Sequence, residues 1–217
     1  MPAPGMPVTA TMRSNLSLCP TGSEFKGTTV DLVQMRLFVA LELPGQVLDA
    51  LTRFQASLAA TGSDLKLVER ENLHFTVKFL GEVTEAEADE AKSRLAGLAL
   101  EGGEVELKGV GAFPDERRPR VVWAGVAGEH RMLVEPLARE VIASLEGLGE
   151  RDTRPFQAHV TLARVRSPRN AGELAALIRG SSGVSFGSAR LTELKLKSSR
   201  LTPAGPVYAD IGVYPLR

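Results

Sequence analysis

Two short segments, Leu73-His74-Phe75-Thr76-Val77 and Ala158-His159-Val160-Thr161-Leu162, each place a histidine two positions before a threonine among apolar neighbours. The chain holds only three histidines, and threonine is 13 of its 217 residues. Two such coincidences arise by accident about once in a hundred sequences of this composition, well above ordinary short-motif noise. Side chains alternate faces along a strand, so His74 and Thr76 are expected on one face, with Phe75, Val77 and Phe79 on the other. His159 and Thr161 are expected opposite Val160 and Leu162 in the same way. Each strand would then pack one face into a core and present an imidazole and a hydroxyl on the other.

That set of groups suits phosphoryl transfer without a metal. In-line displacement at phosphorus needs a base to take the proton of a water on one side and an acid to protonate the departing oxygen on the other. Imidazole, with an ordinary pKa of about 6.5, fills either role near neutral pH according to its protonation state. Threonine hydroxyls can donate to the non-bridging oxygens, where negative charge is held through the transition state. Rival sites are weaker. A zinc site would lack carboxylates at matching spacing, and hydroxyls are poor ligands. There is no Gly-x-Ser-x-Gly elbow and no phosphate loop. His130 has no threonine two places on, stands at an expected helix start and reads as a solvated surface residue. The single cysteine, Cys19, allows neither an internal disulfide framework nor a multi-cysteine metal site.

The elements that must position these residues follow from periodicity and turn chemistry. Residues 1–34 show no sustained period of 2 or 3.6, and their opening Met-Pro-Ala-Pro-Gly-Met-Pro run marks a flexible extension. They lack the apolar stretch of a secretory signal, so a cytoplasmic protein is expected. Met35 is read as the domain start and as a candidate translation start, because Met35–Leu41 is the first buried-strand pattern. A helix follows Pro44, with apolar residues at 47, 48, 51, 54 and 58, and then a strand over about 72–80. Thr84 and Glu87 have capping-box spacing for a helix to about Leu98. Strands near 104–112 and 120–126, a helix over 129–146, a strand over 156–165, a helix capped near Asn170 and strands over 184–213 complete the order. Strands outnumber helices and short turns join several of them, which favours antiparallel pairing. The expected architecture is α+β and bilobal: residues 35–217 forming two mainly antiparallel sheets that face a central cleft, with helices outside.

Charge adds a local signal to a neutral whole. The chain has 26 basic and 26 acidic residues, and its composition is that of a globular protein with no apolar run long enough to span a membrane. Five arginines (151, 154, 164, 166 and 169) crowd the second motif, and Arg117, Arg118 and Arg120 form another cluster. These could hold phosphates of a nucleic acid. Lys78 continues the alternation from His74 and Thr76 and should enter the same cleft. Strict alternation would put Arg164 on the face opposite His159 unless a bulge intervenes. Phe38 and Phe156 could stack on a base, although both read more readily as core.

At these motifs the sequence resembles the 2H phosphoesterase superfamily, and within it the RNA 2′,3′-cyclic phosphodiesterases, also described as 2′-5′ RNA ligase-like proteins. Met35–Phe38, Glu71–Gly81, Gly111–Pro114 with Arg118–Arg120, Pro155–Arg164 and Leu201–Tyr208 carry the likeness, which covers about 35–215. The resemblance implies hydrolysis of a terminal 2′,3′-cyclic phosphate to a 2′-phosphate, with His74 donating and His159 accepting a proton. The candidate substrate contacts are Thr76, Thr161 and Lys78, read from the strands themselves, and Arg164, which matches the arginine after the family's second motif; no cofactor or metal is expected, and the expected partners are RNA ends or small cyclic nucleotides, met by a monomer. Joining RNA ends through a 2′-5′ bond is the reverse direction. The rival expectations are another 2H activity, such as opening an ADP-ribose cyclic phosphate, and an RNA-binding module without turnover.

Overall fold

The computed structural model describes residues 35–150, 155–203 and 205–217. The extension expected over 1–34, with Cys19, lies outside them, as do Arg151 and Arg154. The elements are β1 (Met35–Leu41), α1 (Gly45–Ala60), β2 (Leu65–Leu67), β3 (Phe75–Val83), α2 (Glu85–Ala96), β4 (Gly103–Phe113), β5 (Val121–Val126), α3 (Arg131–Ser144), β6 (His159–Val165), α4 (Ala171–Gly180), β7 (Ser185–Leu191), β8 (Glu193–Thr202) and β9 (Gly205–Pro215).

All strand pairs are antiparallel. The two sheets expected from sequence appear as two halves, β3-β1-β8-β9 and β6-β5-β4-β7, with β2 alongside β6. One pair, Phe75 with Val160, joins β3 to β6 and makes them a single nine-stranded sheet. The chain exchanges strands between the halves. β4, which follows α2, lies beside β5, whereas β8 returns to lie beside β1. Neither half is therefore built from one continuous stretch of sequence.

The helices form for local reasons and are held by apolar stripes. Val47, Leu51 and Leu58 of α1 are buried at helical spacing, as are Val134, Leu137, Ala138 and Val141 of α3. α2 begins with the expected capping box: Thr84 Oγ1 accepts from Glu87 N (3.3 Å), and Glu87 Oε2 accepts from Thr84 N (2.8 Å). The cap expected at Asn170 differs. Asn170 is left-handed (φ 52°) and makes no side-chain cap bond; its Nδ2 instead donates to Thr61 O (3.0 Å), tying α4 to the end of α1. The three-residue β2 was not apparent from periodicity because it is too short to show one. Helices α1, α3 and α4 pack on the sheet, over a core containing Leu37, Val39, Leu41, Phe75, Val122, Val160 and Leu162. No helix among the described residues is long and apolar enough to cross a membrane.

Candidate active site

The site is assembled at the seam between the halves. An antiparallel pair centred on Phe75 and Val160 aligns His74 with Thr161 and Thr76 with His159. Neighbouring strands lie only about 5 Å apart, and directly opposed residues share a face. Phe75 and Val160 are fully buried, so the two histidines and two threonines stand together on the other face as a two-fold set.

Each imidazole is oriented by the backbone just before it. His74 Nδ1 lies 2.7 Å from Asn72 O and His159 Nδ1 lies 2.7 Å from Gln157 O. A carbonyl can only accept, so Nδ1 carries a proton in both rings and Nε2 is the nitrogen that gains or loses one. His74 Nε2 meets Thr76 Oγ1 at 3.0 Å. Both motifs share the first part of this construction, a carbonyl two residues upstream that fixes the tautomer, and in the first motif a hydroxyl two residues downstream also flanks the reactive nitrogen.

Both strands break their alternation at the same point. In β3, Ala40 pairs with Thr76 and Val39 with Lys78, which leaves Val77 as an extra residue. In β6, Trp123 pairs with Thr161 and Val122 with Ala163, which leaves Leu162 as the extra residue. Such bulges shift every later side chain to the opposite face. Lys78 now stands opposite the buried Val39 rather than in the row of His74 and Thr76, so the alternation that would carry it into the cleft fails. Phe79 takes that place instead: it pairs with Phe38, lies 5.8 Å from its ring and is 48% exposed. The equivalent bulge in β6 brings Arg164 opposite Val121, on the face of Trp123 and Thr161. Phe79 and Arg164 are each five residues beyond their histidine.

Gln55 supports the second bulge. It is the polar member of the α1 stripe, 4% exposed, and its Nε2 donates to Val68 O (2.7 Å) and to Leu162 O (2.8 Å), the carbonyl of the bulged residue. Val68 N also donates to Leu162 O (2.9 Å). Gln55→Met keeps the bulk and removes both bonds, and we expect a loss of about 1–3 kcal/mol, measured by denaturant unfolding. An unchanged unfolding midpoint would show that the bulge holds without Gln55.

The surroundings of the two histidines differ. His74 stacks on Phe38 (5.0 Å, 27°) and meets Tyr208 edge-on (5.7 Å). Phe38 is 2% exposed, which makes it the wall behind the imidazole and not a base platform; Phe156 likewise packs against the core. Burial lowers the pKa of His74 to about 4, with the Lys197 and His159 charges adding to the effect and the Asn72 carbonyl and Glu42 opposing it. Lys197 reaches this face from β8, opposite Phe38, and is 8% exposed. It pairs with Glu42 and with Asp210 (2.7 Å), while Lys195 pairs with Glu42 (2.7 Å) and Asp210 (2.9 Å). Burial pushes the Glu42 and Asp210 carboxyls up, but the bonds from the two lysines hold both below the usual carboxylate range. Burial raises the Tyr208 phenol, and the Arg164 charge opposes it, placing Arg164 within electrostatic reach of the aromatic wall beside His74. His159 sits against Phe113 (4.9 Å, edge-on) and Trp123 (6.2 Å). A Cβ on Gly111 would overlap the Trp123 ring, so glycine is what lets that indole lie against β4.

Of the residues expected at the site, the structure brings His74, Thr76, His159 and Thr161 together and sets Arg164 on the face of Thr161, while Lys78 leaves that row; Lys197, Tyr208, Phe79 and Gln55 join the surroundings without having been expected there. Gln55 left a signal, a polar residue on an apolar helical stripe. Lys197 left none, and Tyr208 only its place in the Leu201–Tyr208 stretch, since both reach the site from strands more than 120 residues beyond His74.

Two antiparallel half-sheets with a histidine-threonine row on each, meeting at one seam, define a phosphoesterase of the two-histidine class. The chain belongs to the LigT-like phosphoesterase family, whose model matches residues 41–123 and 125–208. It is 38% identical over 186 residues to a protein of Methanothermobacter thermautotrophicus named RNA 2′,3′-cyclic phosphodiesterase, covering 85% of this chain and 100% of that one. An Aeropyrum pernix protein of the same name is 43% identical over 164 residues, covering 74% and 92%. The crystal structure of Escherichia coli LigT complexed with 3′-AMP is similar with a TM-score of 0.68 at 25% identity, covering 84% of this chain and 98% of that one.

Proposed function

We propose that this protein is an RNA 2′,3′-cyclic phosphodiesterase that opens a terminal cyclic phosphate to a 2′-phosphate, with His74 and His159 as its acid and base. The observation that carries this reading is the seam pair Phe75–Val160, which sets two histidine-threonine rows head to tail on one open face. Relatives named for this activity and a similar structure solved with 3′-AMP support it.

In the proposed reaction the cyclic phosphate lies between the rows. His159 Nε2 takes a proton from water as the water oxygen bonds to phosphorus. The bond from phosphorus to O3′ breaks, and His74 Nε2–H gives its proton to O3′, leaving a 2′-phosphate and a 3′-hydroxyl. Thr76 and Thr161 donate to the non-bridging oxygens, and Arg164 offsets their charge. Burial keeps His74 neutral in the free protein at pH 7. The bound anion is the negative partner that favours its imidazolium, so His74 acquires its proton together with substrate. In 2′-5′ joining a 5′-hydroxyl end would take the place of water: its oxygen bonds to phosphorus as His159 Nε2 takes its proton, and the bond from phosphorus to O3′ breaks as His74 protonates O3′. Residues 35–217 carry the activity in this reading, as a monomer in the cytoplasm.

Incubating the protein with adenosine 2′,3′-cyclic phosphate in excess chelator tests the proposal. We expect 2′-AMP as the product by phosphorus NMR, at a rate that chelation does not change. Formation of 3′-AMP, or loss of turnover in chelator, would overturn the leaving-group assignment or the metal-free chemistry respectively.

A further inference from the structure

Where β6 ends, beyond Arg164, the surface opens into a cavity of about 360 Å³. Five arginines line it: Arg117, Arg118 and Arg120 from the β4–β5 connection, and Arg166 and Arg169 from the turn into α4. All five are exposed. No ion pair joins any of them to a carboxylate among the described residues. The nearest acid in sequence is already engaged, since Asp115 Oδ1 accepts from the backbone N–H groups of Arg117 (2.8 Å) and Arg118 (3.0 Å). Glu116 is the other carboxylate of that loop and is exposed. Arg169 Nε donates to Gly62 O (3.0 Å), which anchors one side of the cavity. Five guanidinium groups gathered at one concavity make a local concentration of positive charge that suits an anionic ligand.

We infer that this cavity is a subsite for the single-stranded RNA upstream of the reacting end, so that the preferred substrate is an oligonucleotide and not a mononucleotide. The inference rests on the cyclic phosphodiesterase reading above and specifies its substrate. Three observations point to RNA. First, the cavity lies at the end of the catalytic strand: Arg120 O accepts from Val165 N (2.9 Å), one residue beyond the Val121–Arg164 pair on the face of Thr161, so an RNA strand leaving the histidines reaches it by passing over the end of β6. At ~3.3 Å per residue, Val165 is about 20 Å from His159, within reach of a short run of nucleotides leading away from the terminal phosphate. Secondly, its floor is apolar, with Val165, Pro119 and Leu174 beneath the arginine rim. Arginine forks suit phosphodiester oxygens, and an apolar or guanidinium surface accepts a base face without reading its identity. An acidic peptide would match the rim but would leave that floor and the link to the catalytic strand unused. Thirdly, Ala171 at the cavity wall is the first residue of α4, whose N-terminal end adds positive potential.

The test compares adenosine 2′,3′-cyclic phosphate with a hexanucleotide ending in the same cyclic phosphate, using wild type and the triple variant Arg117→Ala/Arg118→Ala/Arg166→Ala. We expect KM for the hexanucleotide to rise roughly tenfold or more in the variant, with kcat/KM for the mononucleotide within about twofold of wild type. The slope of log(kcat/KM) against log salt for the hexanucleotide should fall by about 2, for three lost phosphate contacts on a single strand. The corresponding triple lysine variant should recover part of the affinity and the salt slope. Equal losses on both substrates, or no loss on either, would overturn the subsite. Fluorescence anisotropy with a labelled hexanucleotide ending in a 2′-phosphate reads the subsite without turnover, so it stands even if wild type fails to open the mononucleotide. Competition by a polyglutamate of equal charge as effective as unlabelled RNA would assign the cavity to an acidic protein and also overturn it.

Discussion

Replacing His74 or His159 by alanine is expected to lower kcat for cyclic phosphate opening by roughly 100- to 10,000-fold, the range general acid-base groups supply. The seam makes the expectation specific. Both imidazoles have Nδ1 held by a backbone carbonyl and stand on one face of the seam, so removal of one leaves the phosphate with a proton donor or an acceptor, never both. The double variant should be little worse than the weaker single one, because groups that act on one transition state are not additive. KM should change less than kcat in each, since the threonines and Arg164 remain. Circular dichroism and unfolding midpoints check that the variants fold. Undiminished turnover in either single variant would refute the acid-base pair, and strictly multiplicative losses would mean that the two histidines do not serve the same step.

Acid should destabilise this protein in a window set by His74. Its pKa is lowered from 6.5 to about 4, mainly by burial. Between those values the unfolded chain binds a proton that the folded chain does not, so unfolding becomes easier as pH falls. The stability is fully present above about pH 6.5 and is lost progressively toward pH 4, with a total of about 3 kcal/mol at 1.36 kcal/mol per pKa unit. Glu42 and Asp210, whose carboxyls are held low by Lys195 and Lys197, act in the opposite sense of charge and lose their contribution only at still lower pH. Denaturant unfolding from pH 7 to 4 should show the slope in wild type and a much flatter line in His74→Gln. Bound 2′-AMP should raise the His74 titration seen by NMR, because an anion favours the imidazolium. A His74 resonance that titrates near 6.5 in the free protein would remove the basis of this prediction.

How much of the site could be read from the chain depended on sequence distance. The histidine-threonine motifs were legible because both carry the same residue types at a spacing of two, and a strand turns that spacing into a shared face. The capping box of α2 and the apolar stripes of α1 and α3 were legible for the same reason: their partners lie within a few residues. Alternation then misled at Lys78. A one-residue bulge is invisible in a hydrophobic pattern, yet it exchanges the faces of everything beyond it, so Phe79 replaced Lys78 and Arg164 was recovered for the site.

By itself, then, the sequence determined the two histidine-threonine motifs, the α+β class and the family, since each rests on residue type and short-range period. Tertiary structure alone decided which groups meet. The Phe75–Val160 pair sets the rows opposite one another, strand exchange brings Lys197 and Tyr208 beside His74, and two bulges choose which side chains face the cleft. It also collected arginines from two separate segments into one cavity. Each of these depends on the register between distant strands, and register is fixed by packing and pairing across the whole sheet, which no local pattern records.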